Sequence, residues 1–199
     1  MTSVRDKYNR VSTRYNFMEL PMELTVFPAW RKAVQRELRG PLVLEVGVGT
    51  GKNIPYHPPA WEVVAFDISE GMLSKIEPVQ RDSIHLLQMD AEQMGFPVNT
   101  FDSVFDTFVF CSVPDPIRGL REINRVLKPG GRFVALEHMR PENEAAGKLF
   151  DFADPVSVAA SGVHINRRTV VNIKQAGFEI QEVRDLFTSA VRLIIAEKG

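Results

Sequence analysis

The 199-residue sequence predicts an α/β fold, doubly wound about a mostly parallel seven-stranded sheet, with an N-terminal helical extension. Three observations predict it. Seven apolar runs recur after Gly40-Pro41, at Leu42–Val46, Val63–Phe66, Ile84–Met89, Ser103–Phe110, Arg132–Leu136, Phe178–Val183 and Val191–Ala196. Helical or loop segments separate them, the alternation that sets strands side by side under crossover helices. The first two runs are apolar almost throughout rather than at every second residue, as strands covered on both faces are. No internal repeat or Gly/Ser linker interrupts the chain, so a single domain is expected over residues 1–199.

Residues 1–40, at the start of the chain, carry eight basic against four acidic residues, together with Tyr8, Tyr15, Phe17, Met18, Leu20, Met22, Leu24, Val26, Phe27 and Trp30. That mixture fits a helical pair packed on the sheet, a lid over an apolar pocket, or a segment lying on an anionic membrane. The first strand then runs into Gly47-Val48-Gly49-Thr50-Gly51, whose alternate glycines let the backbone turn tightly and approach a ligand. A dinucleotide loop would require glycine at position 52, where Lys52 stands. Glu45, two residues before the first glycine, adds a carboxylate that disfavours a pyrophosphate and suits a cationic ligand. Asp67 ends the second run 22 residues after Glu45, where an acid holds the hydroxyls of a ribose, and Asp90 follows the third. Glycine loop, acid and acid thus fall on the carboxyl edge, where open sheets bind ligands.

Beyond the fourth strand, Ile117, Leu120, Ile123 and Leu127 recur at helical spacing and predict a helix over Pro116–Leu127, stopped by Lys128-Pro129-Gly130-Gly131. Asn166 is placed to cap a helix running to Gln175, ended by Gly177, and the last two runs pair as a hairpin across Leu186–Ala190. A formal net charge of −1 argues against a nucleic-acid partner. The single cysteine, Cys111, excludes an internal disulfide and reads as a packed residue. With a polar start over Met1 to Arg14 and no apolar stretch of membrane-span length, the expected location is the cytoplasm, any membrane contact being peripheral, on the inner face. No His/Asp/Glu group stands at metal-ligand spacing, so no metal is expected.

Val43–Gly51, Phe66-Asp67-Ile68-Ser69, Gln88-Met89-Asp90-Ala91-Glu92 and Arg125-Val126-Leu127-Lys128-Pro129-Gly130-Gly131 together resemble the successive motifs of class I S-adenosylmethionine-dependent methyltransferases. The resemblance implies a Rossmann-like fold and S-adenosylmethionine as cofactor, with S-adenosylhomocysteine as product. It implies Gly47, Gly49 and Gly51 under the methionine part, beside Glu45, and Asp67 with Ile68 on the ribose. Asp90 and the Ala91 amide would read the adenine, Met72 would pack on its face, and Thr107 would face the methionine end. Residues 41–199 would then be the catalytic core and residues 1–40 a lid or membrane-facing segment.

The acceptor class is read from the residues beyond strands four and five. The stretch Thr107–Pro114 lacks the Asn/Asp-Pro-Pro-Tyr/Phe element of base and amide methylating relatives, and Cys111 follows Phe110 rather than the proline of cytosine methylation. His138, at the end of strand five, is either a proton acceptor or a hydrogen-bonded structural histidine. His57, His85 and His164 read as structural or surface residues. Phe108–Pro116, Leu136–His138 and Gly162–Thr169 resemble the branch containing bacterial phosphatidylethanolamine N-methyltransferases and small-thiol methyltransferases, with quinone C-methyltransferases more distant. In that branch Tyr15 would close over cofactor and acceptor, and Asn166, Arg167 and Arg168 would bind an acidic head group or simply begin a helix. The expected activity is N-methylation of phosphatidylethanolamine-type head groups. The alternatives are transfer to a thiol or another hydrophobic small molecule, quinones included, and a non-enzymatic cofactor- or membrane-binding module.

Overall fold

A computed structural model describes residues 4–78 and 81–199, with the side chain of Met18 outside the described set, as are Met1–Ser3. Two helices come first, α1 (Val4–Glu23) and α2 (Phe27–Glu37). Strands β1 (Leu42–Val46), β2 (Glu62–Asp67), β3 (Ile84–Gln88), β4 (Phe101–Thr107) and β5 (Leu127–His138) are joined by the short α3 (Glu70–Leu73) and by α4 (Pro116–Val126). After β5 come α5 (Glu144–Ser161), α6 (Thr169–Gln175), β6 (Phe178–Phe187) and β7 (Val191–Lys198). The strand order is β3-β2-β1-β4-β5-β7-β6, parallel through the first five and antiparallel where β7 meets β5 and β6. The order reverses between β1 and β4, which opens a crevice at their carboxyl ends.

Alternation along each strand builds a core on each face of the sheet. Val43, Phe105 and Val134 face Phe27, Trp30 and Val34 of α2, while Leu44, Val104 and Phe133 face Leu120 and Ile123 of α4 and Ile173 of α6. The helix after β4 starts on Asp115, whose carboxylate accepts from the Arg118 amide at 3.0 Å, with Pro116 at the first helical position, where its missing N–H costs nothing.

The structure departs from the sequence expectation at several boundaries and in one helix. The fourth strand stops at Thr107 rather than Phe110, because Phe108 takes a left-handed conformation, φ 59°, and turns the chain out of the sheet. The Lys128–Gly131 stop lies inside β5, as an irregularity in its pairing with β4 between Phe101 and Ser103. Asn166 does not cap the last helix, which begins at Thr169 after Arg168; the Asn166 side chain instead donates to Asp151 Oδ1 at 3.3 Å. Helix α5 was not legible at all. It turns Gly147 and Asp154 inward and leaves Leu149, Phe152 and Val156 exposed, so its sequence shows no apolar core face.

Candidate active site

A cavity of about 270 Å³ lies at the carboxyl ends of β1, β2 and β4, close to the lower end of small-molecule sites. Its floor is the glycine loop. Gly47 and Gly49 hold φ 67° and 56°, the left-handed region that only glycine enters freely. A Cβ on Gly49 would meet nothing within 4 Å, whereas one on Gly47 would lie 2.4 Å from Val109 Cγ2. Asp67, last in β2, is clamped by two amides, Gly49 N–H on Oδ2 at 2.9 Å and Ser69 N–H on Oδ1 at 2.8 Å. Burial pushes its carboxyl up from the ordinary range, and those two amides oppose the shift. Asp90 accepts the Glu92 amide at 2.8 Å, and Phe66, Ile68, Met72, Met89 and Ala91 supply apolar wall.

The opposite wall comes from afar. Helix α1 crosses the mouth, with Tyr8 and Tyr15 lining the cavity and Ser12 buried between them. Polar contacts hold it there, among them Tyr8 OH with Ser112 Oγ at 2.6 Å, Asn9 Oδ1 accepting from Ser69 Oγ at 2.6 Å and from the Gly71 amide at 3.0 Å, and Asn16 Oδ1 accepting from Thr50 Oγ1 at 2.7 Å. Burial raises the phenols of both Tyr8 and Tyr15, so neither is a base near neutral pH. Phe108, Val109, Ser112, Val113 and Pro114 complete the wall. A side pocket of about 30 Å³ continues past Tyr15 and Thr107 to Glu19, Arg31 and Lys52.

The comparisons agree with this geometry. A methyltransferase domain family matches residues 44–135. The chain is 33% identical over 165 residues to a ubiquinone/menaquinone biosynthesis C-methyltransferase of Pseudoalteromonas translucida, covering 75% of this chain and 64% of that protein. It is 38% identical over 120 residues to a phosphatidylethanolamine N-methyltransferase of Cereibacter sphaeroides, covering 56% and 57%. Residues 44–135 form a methyltransferase domain of the S-adenosylmethionine-dependent type. It spans about three fifths of the length of the curated relatives it matches. The fold likeness is broader: the crystal structure of a methyltransferase of Thermotoga maritima superposes with TM-score 0.76 at 20% identity, covering 97% of this chain and 99% of that one.

The residues of this methyltransferase domain fit the cofactor on structural grounds. Cβ-free backbone opens into the cavity at Gly49, a half-buried carboxylate stands at the end of β2, and apolar side chains surround it. Gly47, Gly49, Asp67, Ile68, Met72, Asp90, Ala91, Thr107 and Tyr15 all line the cavity. When bound, S-adenosylmethionine supplies an electrophilic methyl on a sulfonium. With it bound, Asp67 would hold the ribose, α1 across the mouth would exclude water, and Thr107–Val109 would align an acceptor.

Other expectations are corrected by placement. Glu45 is fully buried behind the loop, where His57 Nε2 contacts its Oε2 at 2.9 Å and Asn53 Nδ2 donates to its Oε1 at 2.7 Å. Asn53 also donates to Thr107 Oγ1 at 3.1 Å and accepts from Arg31 Nη1 at 3.0 Å. Glu45 therefore braces the loop rather than touching the cavity. Gly51 faces Ile54 and Ile76, serving the turn. His138 does not line the cavity; its ring lies against Phe108, centroids 6.0 Å apart. Asn166, Arg167 and Arg168 do not reach it either. Arg167 donates to Val113 O at 2.9 Å and so props the wall from outside, while Arg168 is exposed at the helix start. His57 and His164 are structural, the latter with Nδ1 2.9 Å from Asp154 Oδ2, and Cys111 is packed and buried. The fold also brings Cys111, Glu137 and His138 within 4.8 Å of one another, a proximity invisible in their spacing; Glu137 and Cys111 each already have backbone partners.

Sequence reasoning missed Tyr8, Asn9, Phe108 and Ser112 as site residues. One signal was present: Tyr8, Ser12, Tyr15 and Glu19 recur at helical spacing and mark the inward face of α1.

Proposed function

We propose that this methyltransferase transfers the methyl of S-adenosylmethionine to the head group of an amphipathic acceptor, with a phosphatidylethanolamine-type amine as the leading substrate. The two-sidedness of α1 carries this reading. Its inner face closes the cavity with Tyr8 and Tyr15; its outer face presents Arg10, Arg14 and the exposed Phe17 and Leu20, with the exposed Leu24 just beyond its end, Phe17 being 79% accessible. Among the described residues neither arginine is ion-paired with a carboxylate. Basic and apolar groups on one face suit the surface of an anionic bilayer, peripheral contact rather than spanning. No helix of the described residues is long and apolar enough to cross a membrane. A head group entering beside α1 would reach Thr107–Val109 while its chains stayed outside. The relatives named for lipid and quinone acceptors point the same way.

A second reading, a thiol acceptor, is favoured by a specific feature: the wall formed by Thr107, Phe108, Val109 and Ser112 carries no base, with both tyrosines held neutral. A thiol supplies its own anion near neutral pH, whereas a protonated amine or a quinol does not do so as readily. Labelled S-adenosylmethionine is incubated with phosphatidylethanolamine vesicles, a demethylated quinol and small thiols. Labelled lipid supports the leading proposal, labelled thiol in its place supports the second, and label in the quinol identifies a C-methyltransferase. Binding of S-adenosylhomocysteine with no transfer to any of these would leave a non-enzymatic module.

A further inference from the structure

We infer that Asp106 and Glu137, neither of which touches the cavity, are positioning residues that set the acceptor wall. The inference rests on the proposed methyl transfer. Both side chains are fully buried, one near the end of β4 and one near the end of β5, on neighbouring parallel strands with Asp106 opposite Ala135. Glu137 Oε1 accepts two successive backbone amides, Val109 N–H at 2.6 Å and Phe110 N–H at 2.8 Å. Those amides turn inward because Phe108 adopts φ 59°, a conformation uncommon for an aromatic residue and retained only where its surroundings hold it. Glu137 is the group that holds it. Its carboxylate fixes the turn from which Phe108 and Val109 reach the cavity, and Val109 Cγ2 closes against Gly47.

Asp106 explains how Glu137 can do this. Neither Asp106 oxygen, nor Glu137 Oε2, has a hydrogen-bond donor among the described residues, so only a proton held on one of the two carboxyls can satisfy them. Asp106 pairs with Ala135, so Glu137, two residues further along β5, shares its face of the sheet; two carboxyls buried side by side there do not readily ionise together, and one carries the proton. The member with two amide donors keeps the charge. Asp106 is held neutral, its carboxyl pushed well above the usual range by burial and by the Glu137 charge, and it donates to Glu137. The relay runs from the Asp106 O–H through the Glu137 carboxylate to the two amides of the wall. His138, next along β5, packs on Phe108 from the other side.

Four variants test this: E137A, E137Q, D106L and D106N. Hydrogen exchange at the Val109 and Phe110 amides is the readout that needs no acceptor. Exchange should accelerate in E137A and D106L and stay slow in D106N, which keeps a donor toward Glu137. With whichever of phosphatidylethanolamine vesicles or small thiols turns over, kcat/KM for the acceptor should fall about 10²-fold in E137A, the scale of a misaligned reacting group, and less in E137Q. D106N should recover most of what D106L loses. S-adenosylhomocysteine affinity by calorimetry should shift less than threefold throughout. Equal loss of acceptor kinetics and S-adenosylhomocysteine binding would show general unfolding and overturn the inference, as would D106N failing like D106L. If no acceptor turns over, the methyltransfer reading fails while the exchange data still decide the relay.

Discussion

The two halves of the cavity are built on different principles. On the cofactor side, Gly47, Gly49, Asp67, Asp90 and Ala91 lie within one stretch of chain at the ends of consecutive strands, and their hydrogen bonds are short-range: Asp67 to Ser69, Asp90 to Glu92, and Gly49 to Asp67 across one strand pair. On the acceptor side, Tyr8 meets Ser112 across 104 residues, Val109 depends on Glu137, and Val113 is propped by Arg167. One half is fixed by backbone, the other by side chains that must first be brought together. Substitutions should therefore damage the two halves through separable readouts.

The largest effect is expected where the halves touch. Gly47→Ala places a Cβ 2.4 Å from Val109 Cγ2 at φ 67°, so it strains the loop and displaces the acceptor wall at once. Both S-adenosylhomocysteine affinity and acceptor turnover should fall by more than tenfold. Gly49→Ala, at φ 56° with no neighbour within 4 Å, should cost less stability, and equal melting temperatures would erase the distinction.

Next, Asp67→Ala should weaken S-adenosylhomocysteine binding by about 1–3 kcal/mol, the scale for losing a charged hydrogen bond. Because the loss lies on the cofactor side, acceptor KM should barely move; calorimetry beside initial-rate kinetics checks both.

A smaller effect concerns pH and stability. Asp106 is held protonated in the folded chain, while in the unfolded chain it ionises near its ordinary value of about 4. Its contribution to stability is full below that value and is lost as pH rises from there toward the raised folded value. Asp106→Asn removes that loss. The variant should melt higher than the parent near neutral pH, by about 2–4 °C per kcal/mol recovered, with a flatter profile above pH 4. A melting temperature lower than the parent's at pH 7 would contradict a neutral Asp106.

The smallest effect is expected at His138. Since its ring backs Phe108 instead of facing the cavity, His138→Ala should lower turnover by less than tenfold and leave the pH dependence of the rate unchanged. A loss of 10² or more with an altered profile would restore it as a general base.

The cofactor half was legible because its signals are local. A strand, a turn that tolerates only glycine and an acid at a strand end each leave a mark within a few residues. Glu45 misled for the same reason: its distance from Gly47 in sequence is short, but alternation along β1 turns it inward to His57 and Asn53. The acceptor half was illegible where partners are distant. Nothing near Asn166 or Arg167 in sequence shows that Asp151 and Val113 take their donors. Likewise nothing near Asp106 shows that Glu137 shares its burial.

The amino-acid sequence by itself determined the mostly parallel sheet, the glycine loop, the positions of Asp67 and Asp90 at the sheet edge, and a basic, apolar segment ahead of the core. Those depend on periodicity, backbone freedom and local charge. The tertiary structure alone decided that α1 lies across the mouth, that His138 packs on Phe108 of the wall, and that two carboxyls, Asp106 and Glu137, are buried on neighbouring strands beneath it. Contact between residues far apart in the chain depends on how the strands and helices pack, and burial is what turns an ordinary acid into a neutral hydrogen-bond donor.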